Sequence, residues 1–284
     1  MDIRSLALRN QLMSEPLLRL VTDIDSLPSL PPLYYRIVEA MEAPNVELPA
    51  IGELIAQELG LATRVLQLAN RAGTTLTRRI TSLEQATALL GLETIGAVVV
   101  QHHVLSQVAQ SSVPGFSAEQ LWQHSVLTSA YAQRIARTLT HDRELLAASL
   151  TAGLLHDLGA LVFAIYLPVP YRASLDLAET DNQPMWMAER RVVRATHAEV
   201  GAYLLARWSL PEPIIEVIAY HHEPARCQTA VSAALTAVHA AEALADEAER
   251  SDEDEPQDYF DQEYLTEQKL TEQVPSWRAL CEEE

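Results

Sequence analysis

Residues 144–166 read ELLAASLTAGLLHDLGALVFAIY, and this stretch decides the fold more than any other part of the sequence. Its apolar residues run almost all round a helical wheel, which is typical of a helix buried at the centre of a helical protein. Two polar residues, His156 and Asp157, interrupt it. Burying an imidazole beside a carboxylate is costly unless each has a partner, and a metal ion is one such partner. The stretch therefore predicts a central helix that carries part of a metal site.

Helical periodicity continues on both sides of this stretch, and no alternating strand pattern of useful length occurs in the sequence. Helix-capping sequences, each with Gln or Glu three residues later, begin at Ser82, Ser117 and Thr196. The turn-forming segment 112–116, SVPGF, separates two groups of helices. We therefore predict an all-α fold of two lobes, residues 20–112 and 113–225. A last helix of the second lobe is expected to end near residue 249.

The charge of the chain is strongly negative, since 39 acidic and 20 basic residues give a formal net charge of −19 over 284 residues. Nucleic acids and anionic membranes attract cationic surfaces, so neither is expected as a partner. The first residues show no signal-peptide pattern, and no window reaches the about 20 apolar residues of a membrane span. Two cysteines fit neither a disulfide framework nor a zinc-binding spacing. These features predict a cytoplasmic protein.

The C-terminal segment, residues 250–284, is especially acidic. Residues 245–284 hold 15 acidic residues against three basic ones. Because like charges repel one another, this composition predicts a solvated, disordered tail. Apolar residues such as Trp277 interrupt the charge, and they leave a short docked helix or a partner-binding segment open as alternatives.

Histidines and one glutamate elsewhere in the chain complete a candidate metal centre. We expect a bridging Asp157 to serve two metal ions, each with further ligands of its own. The first set is His124, His156 and Glu242, and the second set is His197, His221 and His222. Imidazole together with carboxylate suits Fe, Mn or Zn better than Mg or Ca. The pair His102–His103 is expected to be structural, and His141 is expected to lie on the surface.

Several short motifs, in their order and spacing, resemble a known family. They are LPSLP at 27–31, ANRA at 69–72, SLEQA at 82–86, LG at 90–91, GLLHDLG at 153–159, Glu189, HAEVG at 197–201, WSLP at 208–211 and HHE at 221–223. The HD pair preceded by His124 resembles the HD superfamily of metal-dependent phosphohydrolases. The whole span 20–225 is similar to the HDOD domain, the HD-related output domain. The resemblance implies an all-α, two-lobed bacterial signalling module that works alone or behind a receiver domain, and most HDOD members have no established catalysis. Because the residues before position 20 are too few for a receiver domain, we expect the stand-alone type.

The sequence departs from the catalytic members of the superfamily at positions that handle phosphate. Catalytic HD phosphohydrolases commonly carry a lysine where this chain has Ala160, which cannot clamp a phosphate. The superfamily's last metal-binding aspartate corresponds to Glu242, and the Gly-Tyr-Pro motif of the cyclic-dinucleotide phosphodiesterases is missing. The cations nearest in sequence to His197 are Arg190, Arg191 and Arg194. A solvated helix face is the simpler interpretation of these arginines.

Two functions follow from these features. The first is a regulatory signal-transduction module that contacts a protein partner and retains an HD-type metal site. The second is a metal-dependent phosphohydrolase of a nucleotide or phosphoester, in which Asp157 would be catalytic. The missing lysine and the surplus negative charge favour the first. Tyr34–Tyr35 and the apolar Val98–Val100 leave room for a homodimer face.

Overall fold

The computed structural model describes Leu8, Leu12 and residues 15–24, 27–42, 48–73, 79–108, 113–227, 232–250 and 259–282. All regular elements within these ranges are helical, which confirms the all-α prediction. The α-helices are α1 (Glu15–Asp23), α2 (Pro32–Glu42), α3 (Leu48–Ala56), α4 (Leu59–Ala72), α5 (Leu83–Leu90), α6 (Leu92–Val108), α7 (Ala118–Leu139), α8 (Arg143–Leu155), α9 (Leu158–Tyr166), α10 (Pro168–Thr180), α11 (Met185–Val192), α12 (His197–Arg207), α13 (Glu212–Tyr220), α14 (Ala233–Glu249), α15 (Gln262–Glu267) and α16 (Val274–Glu282).

The first lobe is built around α6, which packs against α2, α4 and α5. Val98, Val99 and Val100 are buried in this core. They are therefore unavailable for a homodimer face, and that part of the prediction is wrong. The apolar pattern of α6 cannot distinguish these two cases, because it is the same whether the helix packs against a second chain or against the rest of its own chain.

The two lobes meet where α6 packs against α8 and α9, and where α4 packs against α7. Buried hydrogen bonds cross this contact. The Thr94 and Thr151 hydroxyl oxygens lie 3.1 Å apart. The Gln101 side-chain amide donates to the Ser125 hydroxyl over 2.9 Å. Because buried polar groups must be paired, these bonds fix how the lobes sit against each other. The predicted joint lies partly outside the described residues, and its described part, 113–116, is a turn.

The second lobe places α7 beside α8 and α14, while α9 and α13 pack against α12. The apolar stretch Arg143–Tyr166 is long and apolar enough to cross a membrane, but 78% of its most apolar window is buried inside the protein. That burial is typical of the core of a soluble protein. The N-terminal caps of α5, α7 and α12 form as the sequence predicts, and the cap of α12 is a complete capping box.

The predicted central helix is broken in two, and His156 and Asp157 lie in the turn between α8 and α9. The prediction of one continuous helix is wrong at these two residues. Glycines on either side of the turn allow two close helix contacts. A Cβ atom on Gly153 would lie 2.8 Å from the Cα of Ser129 on α7. A Cβ atom on Gly159 would lie 2.7 Å from the carbonyl carbon of His197 on α12. The GLLHDLG motif thus brings two neighbouring helices against one turn.

The C-terminal segment is docked over residues 259–282, so the prediction of a solvated tail is wrong there. Trp277 and Tyr264 are each 1% exposed, and α16 packs against α7 and α14. The Trp277 indole N–H donates to the Thr138 hydroxyl over 3.1 Å. Arg278 forms an ion pair with Glu247 of α14. Apolar residues spaced on one side of short helices outweigh the repulsion between charges that remain in solvent. Residues 251–258, which hold the densest run of acids, lie outside the described residues.

Candidate metal centre

The first ligand group forms where the His156–Asp157 turn meets α7 and α14. Nε2 of His124 lies 3.1 Å from Oε2 of Glu242. Nε2 of His156 lies 2.8 Å from the same glutamate oxygen and 3.4 Å from Oδ2 of Asp157. One potential ligand atom of each of these four residues lies within 4.8 Å of the others. Four residues from three parts of the chain therefore surround one point.

The second ligand group lies on the other side of Asp157 and combines it with His197, His221 and His222. Nε2 of His197 lies 3.0 Å from Oδ1 of Asp157 and 2.8 Å from Nε2 of His222. The N-terminus of α12 supplies His197, and the end of α13 supplies the histidine pair. The structure thus brings together all seven predicted ligands, in the two sets expected, with Asp157 as the member common to both.

The outer nitrogens of three histidines are held by acceptors behind the centre. Nδ1 of His156 lies 2.8 Å from the Gly153 carbonyl oxygen, and Nδ1 of His221 lies 2.7 Å from the Ile218 carbonyl oxygen. A carbonyl oxygen only accepts, so each Nδ1 carries a proton, and each Nε2 offers a lone pair whenever its ring is neutral. Nε2 of His221 is buried without a hydrogen-bond partner among the described residues. Such backing is the usual arrangement behind metal-bound histidines.

Glu189 of α11 fills the same supporting role for His197. Its Oε2 atom accepts from the backbone N–H of His197 over 2.8 Å and from its Nδ1 over 2.7 Å. Glu189 is completely buried. The sequence singles out Glu189 only as part of the HDOD-like pattern and assigns it no role, because a helix end lies between it and His197. Together, these contacts leave a set of histidine nitrogens and carboxylate oxygens that fits Fe, Mn or Zn.

Charges in the centre shift the pKa values of its groups in opposite directions. Burial lowers the pKa of His156, but the carboxylates of Asp157 and Glu242 outweigh it and raise that pKa to about 10. Burial and the charges of His156 and His197 lower the pKa of His221 to about 3. Burial raises the pKa of Asp157, but the two neighbouring imidazoles hold it well below its usual value. A carboxylate oxygen this close to an imidazole nitrogen requires a proton or a metal ion between the two atoms. Protons and metal ions therefore compete for the centre.

The remaining histidines take other roles. His239, which shares a helix face with Glu242, is buried behind the centre: its Nδ1 donates to the His221 carbonyl oxygen over 2.7 Å, and its Nε2 accepts from the Asp261 N–H over 2.9 Å. It therefore ties the histidine pair to the C-terminal segment. Nε2 of His102 lies 3.5 Å from the Glu58 carboxylate in the first lobe, far from the centre in sequence and in fold. His141 is exposed, as predicted.

A cleft of about 660 Å³ opens above the centre. Its lining includes Asp157, His124, His197, His222 and Glu242 from the two ligand groups. Aromatic and sulfur-containing side chains form further parts of the wall: Phe116, Tyr171, Met185, Trp186, Met187, Tyr259 and Phe260. Five more acids line it: Glu189, Glu223, Asp246, Glu249 and Asp261. Among the residues that the structure describes, no lysine or arginine lines this cleft.

The arginines near the cleft are already engaged. Both terminal nitrogens of Arg190 donate to the carboxylate of Glu223, and its guanidinium lies 5.1 Å from the centre of the Trp186 ring. Arg191 forms an ion pair with Asp181. Ala160, at the position where hydrolases of this type carry lysine, lines the cleft with a methyl group. The cleft therefore offers an incoming phosphate no lysine or arginine side chain from the described part of the chain.

The fold and the centre define an all-α protein of the HD type, in which a shared aspartate lies between histidine-rich ligand groups. The HDOD domain family matches residues 27–224. This protein belongs to the HDOD domain family, as the motif resemblance predicts.

Similar proteins support this assignment. An uncharacterized protein of Treponema pallidum (strain Nichols) is 33% identical over 199 residues, which are 70% of this chain and 38% of that protein. The chain thus covers well under half of that relative. An HDOD domain protein of unknown function from Geobacter sulfurreducens has a crystal structure similar to this one, with a TM-score of 0.62, 25% identity and coverage of 99% of this chain and 97% of that one. A protein of Shewanella amazonensis SB2B, named as a candidate phosphohydrolase, shares the fold, with a TM-score of 0.65, 20% identity and coverage of 95% and 97%.

Proposed function

We propose that this chain is a bacterial signal-transduction module that regulates a protein partner in the cytoplasm and retains a transition-metal centre without hydrolysing phosphoesters. One observation carries the proposal: two ligand groups share Asp157 beneath a cleft that no lysine or arginine lines among the described residues. A site of this kind is built to hold metal, yet it lacks the cationic groups that stabilise a transferred phosphoryl group. Partner binding is the role that the resemblance to output domains favours.

The chain's own residues provide for two ions of Fe, Mn or Zn. His124, His156 and Glu242 would hold one ion, while the histidines of the second group would hold the other, and Asp157 would serve both. Carbonyl oxygens and Glu189 orient the imidazoles before any ion binds. Because these supports belong to helix ends in the second lobe, metal occupancy would stiffen the contacts between α8, α12, α13 and α14.

A metal-dependent phosphohydrolase of a nucleotide or phosphoester is the second candidate, and the complete ligand set favours it. A bound metal pair supplies a water of lowered pKa and polarises a phosphoryl oxygen. In that function Asp157 would be the catalytic centre's shared ligand. The chain's own residues argue against it, because Ala160 and the engaged Arg190 leave the phosphate without a clamp.

Metal content of purified variants tests the centre. Asp157→Ala is expected to lose nearly all bound metal because it removes the ligand common to both groups, whereas His197→Ala should lose about half. His102→Ala is the matched control, since it removes a half-buried histidine outside the centre, and it should lose none. Elemental analysis gives the metal content, and circular dichroism shows that each variant is folded. Equal metal content in Asp157→Ala and the unaltered protein would contradict the proposed centre.

Hydrolysis of bis(p-nitrophenyl) phosphate by the metal-loaded protein separates the two functions. We expect activity near background, since no lysine or arginine among the described residues lines the cleft to stabilise the leaving or transferred group. Robust turnover that depends on metal and disappears in Asp157→Ala would establish the phosphohydrolase and overturn the signalling proposal.

A further inference from the structure

One face of α14 carries a row of carboxylates into the cleft. Glu242, Asp246 and Glu249 are spaced at i, i+4 and i+7, so they share a helix face, and all three line the cleft. The outer two contact His124: Oε2 of Glu242 lies 3.1 Å from its Nε2, and Oε2 of Glu249 lies 3.0 Å from its Nδ1. Asp246 lies between them. Its carboxylate makes no hydrogen bond or ion pair within the described part of the chain.

A second unpaired acceptor belongs to the lining of the same cleft but to a different element. Glu189 of α11 is 0% exposed, and only its Oε2 atom is used to orient His197. Its Oε1 atom is buried without a hydrogen-bond partner among the residues described. A buried carboxylate oxygen accepts hydrogen bonds only, so its missing partner is a donor. This observation is independent of the carboxylate row on α14.

The surroundings make a positively charged donor the best partner for both groups. Phe116, Met185 and Phe260 contribute apolar wall to the cleft, and apolar surroundings strengthen electrostatic attraction. Burial and the nearby carboxylates raise the pKa of Asp246 well above its usual value, although His124 acts in the opposite direction. Metal ions bound by Asp157 and Glu242 would leave Asp246 and Oε1 of Glu189 uncompensated. The volume, about 660 Å³, admits a small molecule or one long side chain.

We propose that the cleft binds an organic cation, an alkylammonium or alkylguanidinium group, with Asp246 as its principal counter-ion and Glu189 as a further acceptor. The group is either a free amine or the side chain of a lysine or arginine on a partner protein. This inference goes beyond the proposed function because it rests on the walls of the cleft and not on bound metal. It also assigns the cleft a ligand of the opposite charge to a phosphoester.

Titration of the full-length, ¹⁵N-labelled protein with n-butylammonium and n-butylguanidinium tests the proposal. The Trp186 indole N–H signal, assigned with Trp186→Phe, reports on the cleft because this side chain lines it. We expect a saturable shift with both cations and none with 1-butanol. Asp246→Asn should weaken binding about 10-fold or more, which corresponds to about 1.4 kcal/mol. Glu179→Gln is the matched control, since it removes one exposed negative charge from α10 outside the cleft, and it should bind as the unaltered protein does.

Other outcomes would overturn the proposal. These are the lack of a saturable shift, equal binding by Asp246→Asn, tighter binding of n-butyl phosphate, or the same shift with Mg²⁺ alone, which would make the row a metal-ion site. A peptide with a single lysine that binds more tightly than n-butylammonium would assign the cation to a partner, and weaker binding would assign it to a free amine. Metal content measured on the same samples separates the two proposals, because cation binding is expected in both the metal-loaded and the chelator-treated protein.

Discussion

Replacing Trp277 by alanine should destabilise the whole protein, although this residue lies seven positions from the end of an acidic segment. Trp277 is 1% exposed and packs with α16 against α7 and α14. Truncation of a buried tryptophan to alanine costs about 3–5 kcal/mol through lost burial and the cavity left behind. For a domain of this size each kcal/mol lowers Tm by roughly 2–4 °C, so we expect a fall of roughly 6–20 °C.

Thermal unfolding followed by far-UV circular dichroism measures this change. Tyr35→Ala is the matched control, because it removes an aromatic ring that is 60% exposed on α2, and its effect should stay within about 0.5 kcal/mol. Thr138→Val removes the acceptor of the Trp277 indole N–H and should cost about 1–3 kcal/mol, since it leaves a buried donor unpaired. If Trp277→Ala melts within about 2 °C of the unaltered protein, as the control is expected to do, the docking of residues 259–282 is refuted.

Three further predictions concern the centre. Gly159→Ala should disrupt the contact with His197 and lower Tm, because the added Cβ would lie 2.7 Å from that residue's carbonyl carbon. Gly52→Ala is the control and should leave Tm nearly unchanged, because the nearest atom to its added Cβ would lie at 3.5 Å. Glu189→Gln should weaken metal affinity by about 10- to 100-fold in a competition titration while the protein stays folded, because His197 loses its charged support; unchanged affinity would show that the contact is only structural. Since the pKa of His221 falls from 6.5 to about 3 on folding, the unfolded chain binds a proton there that the folded chain does not. The free energy of urea unfolding of the chelator-treated protein should therefore fall as the pH drops from 6.5 towards 3, and His221→Gln should reduce that fall.

Much of the site could be predicted from the sequence because its ligands lie at positions where local signals are strong. An imidazole and a carboxylate inside an apolar stretch require a partner, and this requirement is enough to select His156 and Asp157 as candidate ligands. The capping sequence placed His197 at a helix N-terminus, where the structure also has it. Helical periodicity was sufficient to predict an all-α fold.

Other features depended on contacts between residues distant in the chain, which periodicity does not report. Close contacts with distant helices at Gly153 and Gly159 lie on either side of the break after Leu155. Val98–Val100 form core rather than a dimer face because the second lobe packs on α6. The i, i+4, i+7 spacing of the carboxylates on α14 is visible in the sequence. That these carboxylates face the cleft follows only from the position of α14 in the fold.

The sequence by itself determined the helices, their caps and the identity of the seven candidate ligands, because each depends on residues within a few positions of one another. Only the tertiary structure decided that Glu189 and His239 hold these ligands from behind and that residues 259–282 dock. Those outcomes depend on which helix faces which across the core. Local charge and periodicity do not determine which helices pack against each other. The burial of apolar surface between distant segments does.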